Sequence, residues 1–271
     1  MLSLASSLNL LNTNKQQKPI IFNLSGYLME DSKVWVITGA SRGIGAAIAR
    51  RAAQEGARVA LLARGNEVSA VADSLGDQAI AIRTDVSDPT SVADAFAQII
   101  DRFGTVNVVV NNAGVHRGGR LKRLSREHWQ EVIDVNLSGA LTVAQAAAPY
   151  FEKGDSLINI GAVVGFRGFP GDVAYASSKA GLAGMTKALA IELAPKGITV
   201  NLVIPGLVLT EMTQGLTETA LEAMRKQIPV GRFAEPEEIA DVVYWVSNSR
   251  YMTGAVVPVE GGLMSSFGIT G

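Results

Sequence analysis

Cysteine is absent from the 271 residues. That excludes disulfides, thiolate zinc sites and a cysteine nucleophile together. Histidine is nearly absent. His116 and His128 are the two in the chain, too few for a histidine-based metal site, and both read as surface or internally satisfied side chains. No apolar run approaches the ~18 residues that a membrane-spanning helix requires. An excess of one charge sign is lacking as well. The formal net charge is −1, so the sequence-independent attraction behind nucleic-acid binding is missing. Acidic residues are missing from positions 1–28, which carry two lysines and four serines. This stretch has no basic start, continuous apolar core or small-residue cleavage site, so it does not read as a secretory signal. It is also free of arginine, unlike most transit peptides. Met29 stands directly before "EDSKVWVITGA", where organised sequence begins. Residues 1–31 are therefore read as an N-terminal extension, either a disordered tail or the product of a misassigned start.

What is present is a globular composition, 48% apolar and 18% charged, sufficient for a large core. Short β-branched runs alternate with alanine-rich helical patterns from Lys33 onward. Strands are expected over 33–38, 58–63, 79–83, 106–110, 156–160 and 198–203. These runs are almost continuously apolar, as strands covered on both faces must be. Helices are expected over 44–54, 90–103, 126–150, 173–194 and 236–247. Asp88 is a candidate N-cap followed by Pro89 at the first helical position, and "AEPEEIA" opens a later helix in the same way. Alternation with short connections predicts a single α/β domain over 32–271, a doubly wound parallel sheet of Rossmann type with helices on both faces.

"TGASRGIG" (38–45) joins the first strand to the first helix. Gly39 permits the tight turn, Gly43 lets backbone approach a pyrophosphate, and Gly45 lets helix and strand pack closely. The helix N-terminus then offers N–H groups and a partial positive charge. The second strand ends Leu62-Ala63-Arg64, without the carboxylate that would hold a ribose 2′-hydroxyl. Arg64 and Arg42 suit a 2′-phosphate instead, so NADP(H) is the expected cofactor. Asp85, after the third strand, is placed to contact the adenine.

These residues resemble the short-chain dehydrogenase/reductase family over nearly all of 33–264. The matching strings are "TGASRGIG", "NNAG" (111–114), Asn136 in "VNLSG", "YASSK" (175–179), "IPGLVLTEM" (204–212) and "EGG" (260–262). Within the family the chain is similar to bacterial 3-oxoacyl-[acyl-carrier-protein] reductases, through "YASSKAGLAGMTKALAIELAPKGITVN" and "PVGRFAEPEEIADVV". The resemblance implies hydride transfer from a nicotinamide to a carbonyl in a cytoplasmic homotetramer. It implies Tyr175 as proton donor, with Lys179 one helical turn on favouring the phenolate and holding the nicotinamide ribose. It implies Asn136 seating a water that relays protons. The cofactor would lie along Gly39, Ser41, Arg42, Gly43, Ile44, Gly45, Arg64, Asp85, Val86 and the stretch from Asn111 through Asn112 and Ala113 to Gly114. Pro205, Gly206 and Thr210 would orient the nicotinamide ring. Small residues on several faces of the helix after Tyr175 agree with subunit contact. Lys153 and Lys196 fall where the carrier-protein reductases dock an acidic carrier. Phe166, Phe169, Leu207 and Met212 suggest an apolar substrate cleft, and "TQGLTETALEAMRKQ" an amphipathic lid.

One position departs from the family. Ala162 stands thirteen residues before Tyr175, where members carry a serine whose hydroxyl binds the substrate oxygen. Losing one such donor costs ~10²–10³ in rate. Three explanations stay open: a laboratory Ser→Ala exchange, a natural reductase that manages without the serine, and a non-catalytic NADP-binding protein.

Overall fold

The computed structural model describes residues 32–209 and 217–266. Seven strands form one parallel sheet: β1 (Val34–Thr38), β2 (Arg58–Ala63), β3 (Ala79–Arg83), β4 (Val108–Asn111), β5 (Ser156–Ile160), β6 (Thr199–Pro205) and β7 (Val256–Val259). Their spatial order is β3-β2-β1-β4-β5-β6-β7. The direction of winding reverses between β1 and β4, and crevices outside the carboxyl ends of strands at such a reversal are where ligands bind in open α/β sheets. All five residues of β1 and all seven of β6 are buried, which explains why their sequences are apolar without alternation.

The helices are α1 (Gly43–Gln54), α2 (Glu67–Leu75), α3 (Pro89–Phe103), α4 (Arg126–Ile133), α5 (Gly139–Ala147), α6 (Val164–Arg167), α7 (Val173–Leu193), α8 (Glu218–Arg225) and α9 (Pro236–Asn248). One core layer packs α1 and α9 against one face of the sheet, through Trp35, Ile37, Ile48, Leu61 and Val243. The other packs α3, α5 and α7 against the opposite face, through Val36, Leu62, Phe96, Ile99 and Leu157. Asp88 caps α3 by accepting from Thr90 N at 2.9 Å. α9 opens with a capping box in which Glu235 and Glu238 each receive the other's backbone N–H.

Several elements differ from the sequence reading, the short α6 among them. The helix expected over 126–150 is interrupted by a π-helical turn at Asp134–Ser138, centred on Asn136. β7 is an additional strand: "VVPV" contains Pro258, which ordinarily demotes a run, but β7 is the sheet's last strand, where a missing N–H costs nothing. α2 is an additional helix whose nine residues bury only Val68, Val71 and Ala72, a short stripe with little periodic signal. Residues 1–31, assigned to an extension, lie outside the described residues.

Candidate active site

The phosphate loop leaves β1 at Thr38. Gly39 adopts φ +65°, a left-handed conformation that glycine reaches without steric cost. Gly45 is required for a different reason. A Cβ there would lie 2.3 Å from Gly39 O and 2.5 Å from Asn112 Nδ2. The first turn of α1 thus rests directly on the loop that precedes it. Asn112 ties the two together, Nδ2 donating to Thr38 O at 3.0 Å and Gly39 O at 3.1 Å. Thr38 Oγ1 accepts in turn from the N–H groups of Asn112 and Ala113, each at 3.0 Å. β1 and β4 are therefore stitched at the switch point by side chains as well as by the ladder.

At the start of α1 no side chain caps the helix and no acidic residue occupies its first turn. Its N–H groups and dipole are left to an external anion. Arg42, Arg64 and Arg83 are exposed at the same end of the sheet. Arg83, missed in the sequence, pairs in register with Ala63 and donates through Nε to Arg64 O at 3.0 Å. Asp85 is committed locally: burial tends to raise its pKa, but hydrogen bonds from Ser87 and the nearby Arg64 charge outweigh this and hold it low. These donors fit an anionic ligand such as a dinucleotide; the Glu67 carboxylate also lies close after β2, against Gly65. Val86 is an exception among the expected contacts. Its side chain is buried against Gly139, so only its main chain is open to such a role. Asn111 points inward, donating to Ala140 O and Asn159 Oδ1, and is a core residue.

Tyr175 and Lys179 lie on α7, one turn apart, beyond the carboxyl end of β5. Lys179 is 3% exposed and Nζ donates to Ile160 O at 2.8 Å. Nζ is also 5.7 Å from the centre of the Tyr175 ring. Burial depresses the Lys179 pKa to about 8. For Tyr175 burial, helped by the Asp172 charge, pushes the phenol up to about 12. This runs against the expectation that the ammonium favours the phenolate: in the free chain, desolvation wins. Asn136 accepts from Val115 N at 2.8 Å and donates to Val115 O and Ser178 Oγ. Its amide is thus a clamp on the loop after Gly114, with one lone pair of Oδ1 left to a further donor. Gly114 sits against it, a Cβ there falling 3.4 Å from Asn136 Oδ1 and 3.6 Å from Lys179 Nζ.

The buried lysine gives a pH prediction. Its folded pKa of about 8 lies below the ordinary 10.5, so between these values the unfolded chain binds more protons and stability rises with pH. Denaturant titrations from pH 8 towards pH 10 are expected to show this gain in the wild type and its absence in Lys179→Met.

Ala162 follows β5, in a segment held to β6 by Gly161 N to Val203 O at 2.8 Å and Val163 N to Pro205 O at 3.0 Å. No neighbouring serine replaces its missing hydroxyl. Ser178 Oγ donates to Tyr175 O, and Ser156 Oγ pairs with Thr199. A polar group beside Tyr175 is His116. Its ring meets Tyr175 edge to face with centroids 5.2 Å apart, and Nε2 bonds Asp172 Oδ1 at 2.8 Å. The sequence reads this histidine as a surface or internally satisfied side chain.

Phe166 and Phe169 are exposed at 41% and 49%, not core, whereas Leu207, Leu221 and Met224 pack against the cluster around Ile228 and Phe233. Pro205 is buried at the end of β6, and Gly206 packs on Glu260. Thr210 and Met212 lie outside the described residues, as does the first part of the proposed lid. Lys153 and Lys196 lie at the other edge of the sheet within one chain. They precede β5 and β6, at the amino ends of these parallel strands, while Tyr175 and Ala162 lie past the carboxyl ends. Five strand residues at ~3.3 Å each separate the two edges by ~16 Å. A basic segment does adjoin the site: Arg120, Lys122, Arg123 and Arg126 are exposed just beyond His116. Among the described residues no helix is long and apolar enough to cross a membrane, and no cluster of potential metal ligands occurs.

A family model described as enoyl-(acyl carrier protein) reductase matches residues 39–264. The chain is 40% identical over 242 residues to 3-oxoacyl-[acyl-carrier-protein] reductase FabG of Thermotoga maritima, covering 86% of this chain and 98% of that one. It is 42% identical over 235 residues to carbonyl reductase family member 4 of Danio rerio, with 86% and 98% covered. Among solved structures, a dehydrogenase/reductase from Sinorhizobium meliloti 1021 superimposes with a TM-score of 0.82 at 36% identity, covering 85% of this chain and 94% of that one. A blue fluorescent protein from a metagenomic library, in complex with NADPH, gives 0.81 at 36% identity over 86% and 98%.

Proposed function

Because this chain belongs to the short-chain dehydrogenase/reductase family, we propose that it reduces the ketone of a 3-oxoacyl thioester to the 3-hydroxyacyl thioester, using NADPH. The observation that carries this reading is the placement of Tyr175 and Lys179 on one face of α7 beside an uncapped α1 N-terminus, at the carboxyl edge of the sheet. The name of the Thermotoga relative supports the substrate class.

When bound, the reduced nicotinamide supplies the hydride. The residues of the chain do the rest. The N–H groups of α1 and the Gly39–Gly45 loop, with Ser41 and Ile44, hold the diphosphate. Arg42 and Arg64 take the 2′-phosphate, with Arg83 beside them. Ala113, Gly114, Pro205, Gly206 and Thr210 complete the expected cofactor contacts. Tyr175 gives its proton to the oxygen as charge develops there. A phenol pushed up to about 12 stays protonated at neutral pH and still donates readily to an alkoxide, a stronger base; this favours the reductive direction. Lys179 orients the nicotinamide ribose and resupplies the proton. The clamp made by Asn136 fixes the substrate-side loop relative to α7.

NADPH oxidation in the presence of acetoacetyl thioesters tests the reading; no turnover with either a carrier-protein or a coenzyme A thioester would sink it. The cofactor assignment predicts that Arg64→Asp raises the NADPH Kd ~10–100-fold, the equivalent of losing one hydrogen bond to a charged group, while NADH binding is maintained or improved. Fluorescence titration with both dinucleotides reads this directly.

The Danio relative's name favours a second reading, reduction of other ketones. Ala162 favours a third, a non-catalytic NADP-binding protein, because the missing donor on its own costs ~10²–10³ in rate. If a carrier protein delivers the substrate, the arginine and lysine side chains at 120–126 lie closer to the site than Lys153 or Lys196. We further propose the family's cytoplasmic homotetramer, with the exposed Ile191 on α7 and Leu141 on α5 as apolar contacts.

A further inference from the structure

Reduction builds negative charge on the substrate oxygen, and a preorganised site meets that charge with hydrogen-bond donors. Tyr175 is one donor. The second, a hydroxyl at position 162, is missing, and the serines around it are committed elsewhere. His116 stands against the ring of Tyr175 at 5.2 Å between centroids. It is held from three directions. Nε2 is bonded to Asp172. Val115, its neighbour, is clamped at both N–H and C=O by Asn136. Gly119 N donates to Gly171 O at 2.8 Å, tying the loop to the segment that carries Asp172. The imidazole is 35% exposed. With Nε2 occupied, Nδ1 is the nitrogen left to a ligand.

We propose that His116 supplies the hydrogen bond to the substrate carbonyl oxygen that a hydroxyl at position 162 would otherwise make, with Asp172 holding the imidazole in place. The inference rests on the carbonyl-reduction reading above. In the reaction the oxygen accepts from both Nδ1–H of His116 and the Tyr175 hydroxyl. One of these two protons is transferred to the oxygen, and the other donor keeps its own. Nδ1 carries a proton while Nε2–H donates to Asp172 only in the imidazolium form. The groups facing the ring set that form. Asp172 favours it most strongly, partial burial opposes it, and Arg117 opposes it weakly, so the pKa lies above 6.5. Arg117 is itself neutralised by Glu131 through two hydrogen bonds of 2.8 Å. The Tyr175 ring is uncharged at neutral pH.

The test is a double-mutant cycle on the full chain, with His116→Phe, Ala162→Ser and the double variant. Acetoacetyl thioester and a small β-keto ester serve as substrates. His116→Phe is expected to lower kcat about 10²-fold, the cost of one oxyanion donor, with the NADPH Kd unchanged. Ala162→Ser on its own should raise kcat less than tenfold, but should restore most of the loss in the His116→Phe background. His116→Gln, which keeps an amide donor, should recover part of it. The basic limb of the wild-type kcat profile should follow the His116 titration measured by imidazole NMR, and Asp172→Asn should move both to lower pH. A His116→Phe effect under threefold on the keto ester, or an undiminished loss in the Ala162→Ser background, overturns the proposal. Loss of thioester turnover alone, with the keto ester cycle intact, sinks the substrate assignment and leaves the donor standing. Failure of the wild type on both substrates overturns both.

Discussion

Replacing Tyr175 by phenylalanine is expected to lower turnover of a 3-oxoacyl thioester by ~10²–10⁴, the range contributed by a positioned general acid. The change removes one oxygen and keeps the ring. The edge contact with His116 is retained, and Lys179 keeps its bond to Ile160 O. The phenol makes no hydrogen bond with another side chain among those described, and burial holds it in its neutral form. The fold therefore has little to lose, and NADPH should bind to Tyr175→Phe as it does to the wild type. Stopped-flow reduction at saturating NADPH, with the melting temperature measured in parallel, separates the two effects. A variant that folds and turns over within threefold of the wild type would remove Tyr175 from the mechanism. The expected profile, kcat down with cofactor affinity unchanged, is the signature of an interaction made only in the transition state.

Gly45→Val should act through the opposite channel, abolishing cofactor binding before any chemistry. A Cβ at this position meets backbone on one side, at 2.3 Å from Gly39 O, and the Asn112 amide on the other, at 2.5 Å. Neither can retreat cheaply. Gly39 is at the turn out of β1, and Asn112 is bonded to two carbonyls of that turn. Forced room in a packed region costs about 1–3 kcal/mol, and here it is made by moving the loop that addresses the diphosphate. The NADPH Kd is expected to rise beyond measurable range in a fluorescence titration, with a lower denaturation midpoint. Unaltered NADPH binding would mean that α1 does not need its seat on the loop to hold a dinucleotide.

Much of the architecture was legible because its signals are local. Continuous apolar runs separated by alanine-rich segments can be satisfied only by a covered parallel sheet, and the observed order carries β1 to β6 where such a sheet requires them. The misses are equally physical. Pro258 hides an edge strand, and the π-helical turn at 134–138 inserts a residue between helices of eight and nine residues, too short for the resulting phase shift to stand out. The edge of the sheet that Lys153 and Lys196 occupy was not legible, because motif alignment carries no information about which edge a loop occupies.

Residue identity along the chain determined the glycine turn, the tyrosine and lysine one helical turn apart, the arginine directly after β2, and the alanine at 162. Each depends on neighbours within a few positions, or on the chemistry of a single side chain. Only the tertiary structure decided how these groups behave. Residues 116 and 172 are far apart in sequence, and the clamp on Val115 and the tie from Gly119 to Gly171 bring them to one tyrosine. The phenol and the ammonium shift in opposite directions, to about 12 and about 8, because burial penalises whichever form is charged. That penalty depends on the packing around a group, and packing is a property of the folded chain as a whole.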